Sequence, residues 1–110
     1  MEVKIREIND VQVVDLIGNL DTGTSPEAET EISKLLDEGV KKIIINLEKT
    51  DYLSSSGLRV FLGTAKKLTA TGGAVKLCCP NDVVKEILEI SGFTTILDVK
   101  ESEVEALKEF

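Results

Sequence analysis

Three hydroxyls stand in a row at Ser54, Ser55 and Ser56, with Gly57 directly behind them. Their neighbours make them the residues of this chain best placed to do chemistry. Before them runs Ile43–Ile44–Ile45–Asn46–Leu47, a solid apolar stretch that reads as a buried strand. After them Leu58, Phe61, Leu62, Ala65 and Leu68 recur at helical spacing and mark one face of an amphipathic helix. The serines, inside Asp51–Leu58, therefore fall at a strand-to-helix turn, where the first N–H groups of the helix lack partners. One hydroxyl suffices there as an N-cap. The surplus is open to two readings: polar neighbours of that cap, or a site of covalent phosphorylation. A phosphate so placed meets unpaired N–H groups and the positive end of the helix dipole, so the helix accepts it without unfolding. It adds about −1.5 to −2 charge at neutral pH, which beside Asp21 and Asp51 would chiefly repel a partner.

Other chemistries lack their parts. The chain has no histidine, which removes the commonest general base and the commonest metal ligand together. There is no Gly-x-Ser-x-Gly elbow to present a nucleophilic serine. A phospho-aspartate receiver would want an acid at the end of the third strand, where this chain has Asn46. No glycine-rich phosphate loop is present, and Gly72-Gly73 is only a turn. Cys78 and Cys79 are adjacent; strand neighbours point to opposite faces, which is poor geometry for a disulfide or a shared metal, so they read as two small buried hydrophobes. No cofactor, metal or catalytic residue is expected. The 20 acidic residues outnumber the 13 basic ones, and the net charge of −7 disfavours both nucleic acid and direct binding to an anionic membrane. No apolar run approaches the roughly 20 residues that span a bilayer, and the charged Met-Glu-Val-Lys-Ile-Arg start is unlike a signal peptide, so a cytoplasmic location is expected.

The elements that must hold the serines follow in order. Val3–Ile8 and Val11–Ile17 form a hairpin about the turn signal Asn9-Asp10. Gly18–Asp21 leaves the second strand. Thr24-Ser25-Pro26-Glu27 opens a helix, with Thr24 or Ser25 as cap and Glu27 placed as in a capping box. Ala28, Ile32, Leu35 and Leu36 are its buried stripe, and Gly39 ends it. Val40–Leu47 is the third strand and Ala74–Cys79 the fourth. Pro80-Asn81-Asp82 starts a helix that buries Val84, Ile87 and Leu88, Thr94–Val99 reads as a short edge strand, and Ser102-Glu103-Val104-Glu105 opens a last helix. One domain over residues 1–110 is expected. It is an α/β fold with a mixed, mostly parallel sheet of four to five strands and about four helices. Crossover connections make strands two to four parallel, with strand one antiparallel at an edge. The Gly18–Asp21 and Asp51–Gly57 loops then meet at one carboxyl edge, the usual place for a site, and Asp21 should lie near the serines. Asp21 itself reads either as part of that site or as a turn and cap residue of the first helix.

Tyr52-Leu53-Ser54-Ser55-Ser56-Gly57-Leu58, preceded by Ile45-Asn46-Leu47, resembles the signature of the STAS domain of bacterial anti-sigma factor antagonists. Gly18-Asn19-Leu20-Asp21 and Ile90-Ser91-Gly92-Phe93 resemble two further segments of that family, and the likeness covers essentially the whole chain. The resemblance places the phosphoacceptor at Ser55, two positions before Gly57, with Asp21, Ser54, Ser56 and Gly57 at the partner-binding surface. This chain has Ser54 where the family commonly has Asp. The role implied is partner switching. The unmodified protein binds an anti-sigma factor that is also a serine kinase and so frees a sigma factor; phosphorylation of Ser55 releases it, and a serine phosphatase resets it. The protein would be a substrate and no enzyme. An alternative within the resemblance is a docking subunit of a lipid-transport or stress-sensing assembly, which has less use for an acceptor serine.

Overall fold

The computed structural model describes residues 1–110. Strands β1 (Glu2–Ile8) and β2 (Val11–Leu20) pair antiparallel through a tight turn in which Asn9 and Asp10 both take positive φ. That geometry suits a two-residue hairpin, and Asn and Asp tolerate it. Helix α1 (Ser25–Asp37) leads to β3 (Lys42–Asn46) and the short β4 (Thr50–Leu53). Helix α2 (Ser55–Ala70), β5 (Ala74–Cys78) and α3 (Asp82–Ile90) follow. A 3-10 turn (Phe93–Thr95), β6 (Asp98–Lys100) and α4 (Glu103–Lys108) complete the chain. The sheet has six strands in the order β1-β2-β3-β5-β6, with β4 beside the far end of β2. Every pairing except β1 with β2 is parallel.

Two apolar layers follow from the alternation of side chains along the strands. Val14 and Leu16 of β2, with Ile43 and Ile45 of β3, face the stripes of α1, α2 and α3 in the main core, with Phe61 fully buried. Val11, Val13, Ile44 and Cys78 face the other way, onto Ala106 of α4. A fork of charge fastens α4 there. The Arg6 guanidinium donates to both Asp15 carboxylate oxygens at 2.8 Å and to Glu103 at 2.6 Å. Asn46 adds a 2.9 Å bond from its Nδ2 to Glu103 and takes the Glu48 N–H on its own Oδ1. Arg6 first, and Asn46 after it, hold the Glu103 carboxyl below the usual glutamate range.

The structure departs from the sequence expectation at several points. Asp51–Leu53 is not loop: Thr50–Leu53 pairs with β2, which runs past Gly18 through a register shift to Leu20. Only Thr50 and Leu53 of β4 are buried, so the segment carries no alternation to read. Thr94–Val99 is split between the 3-10 turn and β6. The capping box at Thr24 does not form; the Thr24 hydroxyl donates back to the Asn19 carbonyl at 2.7 Å. On α2 the buried face includes Val60 and Thr64, while Leu62 is only half-buried. The polar Thr64 can sit inward because its hydroxyl donates to the Val60 carbonyl at 2.8 Å.

Candidate functional site

The end of β2 and the start of α2 meet at the carboxyl edge of the sheet. The Ser54 N–H donates to the Leu20 carbonyl at 2.9 Å, so the last bond of the β2–β4 ladder brings the chain to the first residue of the turn. Ser54 is the N-cap: its backbone is extended, its hydroxyl accepts the Gly57 N–H at 3.4 Å, and its carbonyl accepts the Leu58 N–H at 3.1 Å. Ser55 is the first helical residue and is exposed. Ser56 is half-buried, with its hydroxyl 3.3 Å from that of Thr22. The three serines are thus divided: one caps, one bridges to the β2–α1 loop, and one is free.

Gly57 is buried and makes the closest approach of the turn. A Cβ at this position would fall 2.8 Å from two carbons of the Leu20 side chain and 3.1 Å from its carbonyl. Any larger residue would force the Leu20 side chain or the start of α2 to shift. Gly57 therefore sets the spacing between the two loops from beneath the surface.

Asp21 lies between Leu20, which holds Ser54, and Thr22, which touches Ser56. Its carboxylate turns back on its own loop. Oδ1 accepts the N–H groups of Gly23 and Thr24 at 2.9 and 3.1 Å and lies 3.2 Å from the Thr24 hydroxyl. Its carbonyl accepts the N–H and hydroxyl of Ser25 at 2.8 and 2.6 Å. The structure thus brings Asp21 beside the serine turn as the crossover topology requires, and also gives it the turn-and-cap role. Leu20 and Thr22 are the residues of this edge that sequence reasoning passed over. Their signal is position alone, on either side of a recognisable Leu-Asp strand end.

The edge is acidic and carries no acid–base pair. Asp51 and Tyr52 are exposed on β4 next to the turn, and no group of three or more histidine, cysteine or carboxylate side chains could hold a metal. What the arrangement offers is an accessible hydroxyl on a helix N-terminus, framed by a fixed loop. The STAS domain family matches residues 2–106. This chain belongs to the STAS domain family. Among its relatives, the anti-sigma F factor antagonist of Paenibacillus polymyxa is 30% identical over 114 residues, covering 99% of this chain and 94% of that protein. A Bordetella bronchiseptica protein provisionally named anti-sigma factor antagonist BtrV is 33% identical over 110 residues, covering 100% and 95%. Among solved structures, the anti-sigma factor antagonist SpoIIAA in its unphosphorylated form superposes with a TM-score of 0.84 at 25% identity, over 98% of this STAS chain and 95% of that one.

Proposed function

We propose that this STAS protein is an anti-sigma factor antagonist that works by partner switching, with Ser55 as its phosphoacceptor. The observation that carries the reading is the division among the three hydroxyls. Ser54 is engaged as the helix cap and Ser56 is drawn toward Thr22, which leaves Ser55 exposed at the head of α2. The names of the relatives over nearly the whole chain support the same role. In the unmodified state the edge formed by Asp21, Ser54, Ser55 and Ser56, spaced from below by Gly57, docks on an anti-sigma factor that is a serine kinase and so releases a sigma factor. The kinase transfers a phosphoryl group from ATP to the Ser55 hydroxyl. The added charge, set beside acidic Asp21 and Asp51, weakens the complex, and a serine phosphatase restores the binding form. The protein is the substrate of both enzymes and catalyses nothing. No helix is long and apolar enough to cross a membrane, and the reading places the protein in the cytoplasm.

The test is mass spectrometry after incubation with ATP and the kinase recovered by pull-down from the native host. Phosphate on Ser55 alone is the expected result. Phosphate on Ser54 or Ser56 with Ser55 unmodified overturns the assignment of the acceptor. Recovery of a transport ATPase as the partner, with no phosphate on any of the three serines, sinks the switch and favours a docking subunit.

A further inference from the structure

Ser55 opens a helix whose charges are all of one sign. From Ser55 to Ala70, α2 carries Arg59, Lys66 and Lys67 and no carboxylate, although the chain as a whole is acidic. The two arginines of the chain differ in their company. Arg6 is held by Asp15 and Glu103, whereas Arg59 is exposed and neither an ion pair nor a hydrogen bond holds its guanidinium. Arg59 follows Ser55 by four residues, so the two share one face of α2 a single turn apart, with about 5–6 Å between their Cβ atoms. Helical side chains lean toward the N-terminus, and the Arg59 stem is therefore inclined toward Ser55. Lys66 and Lys67 lie about 16 Å or more further along the helix, too far to compete. Other charged groups face this turn from neighbouring elements. Glu29 of α1 shares a groove with Arg59 and Lys67 without pairing to Arg59. Asp21 and Asp51 flank the serines, and Asp21 Oδ1 already accepts two N–H groups of its own loop.

We propose that Arg59 is the counter-ion of a phosphate on Ser55 and keeps that phosphate doubly ionised at neutral pH. The inference rests on the reading of Ser55 as the acceptor. A guanidinium presents a planar fork of donors that matches two phosphate oxygens at once. An anion placed N-terminal to a cation at this spacing is also the favoured order on a helix. Phosphoserine releases its second proton near pH 6, so alone it carries only about −1.5 to −2 charge at neutral pH. A cation beside it, added to the positive end of α2, favours the second ionisation and moves it to lower pH. Asp21 and Asp51 push the other way, and Glu29 competes for the guanidinium. The phosphate prevails over Glu29 because it carries more charge and stands on the same helix, one turn away. Arg59 is free in the unmodified protein, so the pair exists only in the marked state. The charge that repels the partner is then complete, and modest swings in pH do not dilute it.

The experiment uses the full chain with phosphoserine installed at position 55 during translation, so that neither kinase nor partner enters. Phosphorus NMR follows the phosphate through its second ionisation in the wild type, Arg59→Gln and Arg59→Lys. The Arg59→Gln phosphate should titrate about 0.4 unit above the wild type, the equivalent of one ion pair at this helical spacing. Arg59→Lys, which keeps the charge and loses the fork, should recover part of that shift. In the wild type the Arg59 Nε–H resonance should move with the same midpoint as the phosphorus signal, a measurement that needs no substitution. Coincident titrations of the wild type and Arg59→Gln overturn the proposal. So does an Arg59 resonance indifferent to the phosphate, or a lysine variant no different from the glutamine one. Phosphate placed by the kinase on another serine brings down the acceptor reading instead, and the titration at position 55 tells the two failures apart.

Discussion

Ser54 and Ser55 are neighbours with the same hydroxyl, yet substitution should affect them on different observables. Ser54→Ala removes the acceptor of the Gly57 N–H, and the loss of an N-cap costs about 0.5–1 kcal/mol when the bond is as long as this one. Ser55→Ala touches no bond of the fold and should leave the denaturant midpoint unchanged to within about 0.5 kcal/mol. It should nonetheless abolish phosphorylation while keeping the kinase bound. Ser55→Asp should fold normally, because a carboxylate suits the positive end of α2, and should lose at least tenfold in kinase affinity, about 1.4 kcal/mol. Calorimetric titration beside a melt separates these outcomes; a Ser55→Asp protein that binds as the wild type refutes the switch. Asp21 belongs with them in space but not in kind. Its Oδ1 accepts two loop N–H groups, so Asp21→Ala should cost about 1–2 kcal/mol in stability as well as altering the edge. Asp21→Asn, which keeps the acceptor oxygen, separates the two effects. The placement of Asp21 was legible because parallel strands must end on one edge. Its inward hydrogen bonds were not, since nothing in the order of residues tells a carboxylate that faces a partner from one that ties its own turn.

On α2 the consequence of reading a face from spacing becomes measurable. Phe61 is fully buried and Leu62 only half so. Phe61→Ala should cost about 3–5 kcal/mol, and Leu62→Ala clearly less than the roughly 2–5 kcal/mol of a fully buried leucine. Equal shifts in denaturant midpoint would contradict the packing. The helix was legible from its period, but its rotation was misjudged by one flank, because Thr64 counts as polar until its hydroxyl finds the Val60 carbonyl. Helix α4 offers a test in pH. Glu103 titrates below its ordinary value of 4.5 because the folded state gives its carboxylate Arg6 and then Asn46 as partners. A depressed carboxyl stabilises the fold above the unfolded pKa and loses that contribution as pH falls through the folded one. Glu103→Gln should therefore lower stability by about 1 kcal/mol at neutral pH. The deficit should close in acid, below the ordinary 4.5, where the wild type also protonates. Urea melts across that range check it; a deficit that stays constant with pH would assign the loss to packing.

For the whole molecule, the sequence revealed the connectivity far better than the sheet's far end. Alternating strands and helices dictated crossovers, and the parallel register of β2, β3 and β5 follows from them. Strand β4 escaped because Thr50–Leu53 is a strand only by virtue of lying beside the extension of β2 past Gly18. The Arg6–Glu103 contact joins residues 97 positions apart and has no local trace. The cysteine pair was read by strand alternation, which the left-handed Cys79 breaks. Net charge, by contrast, is fully legible, and it bears on the switch. In a chain of net charge −7 the effect of one more anion is long-ranged at low salt. The affinity lost on Ser55→Asp should therefore shrink as ionic strength rises toward about 1 M, where screening acts over only about 3 Å. A loss independent of salt would mean that the aspartate obstructs the contact sterically.

The missing side chain at Gly57 has one more consequence. With Leu20 pressed where a Cβ would be, the beginning of α2 and the end of β2 are packed directly against each other. A switch that works at this edge needs no second shape of that contact. Under the proposed switch its state would be a mark written on the outside of an unchanging object, held in one ester bond. Such a memory is read by touch and erased by hydrolysis. The lifetime of the signal would then be set by the enzymes that write and erase it, and owe nothing to the speed of any motion within the protein.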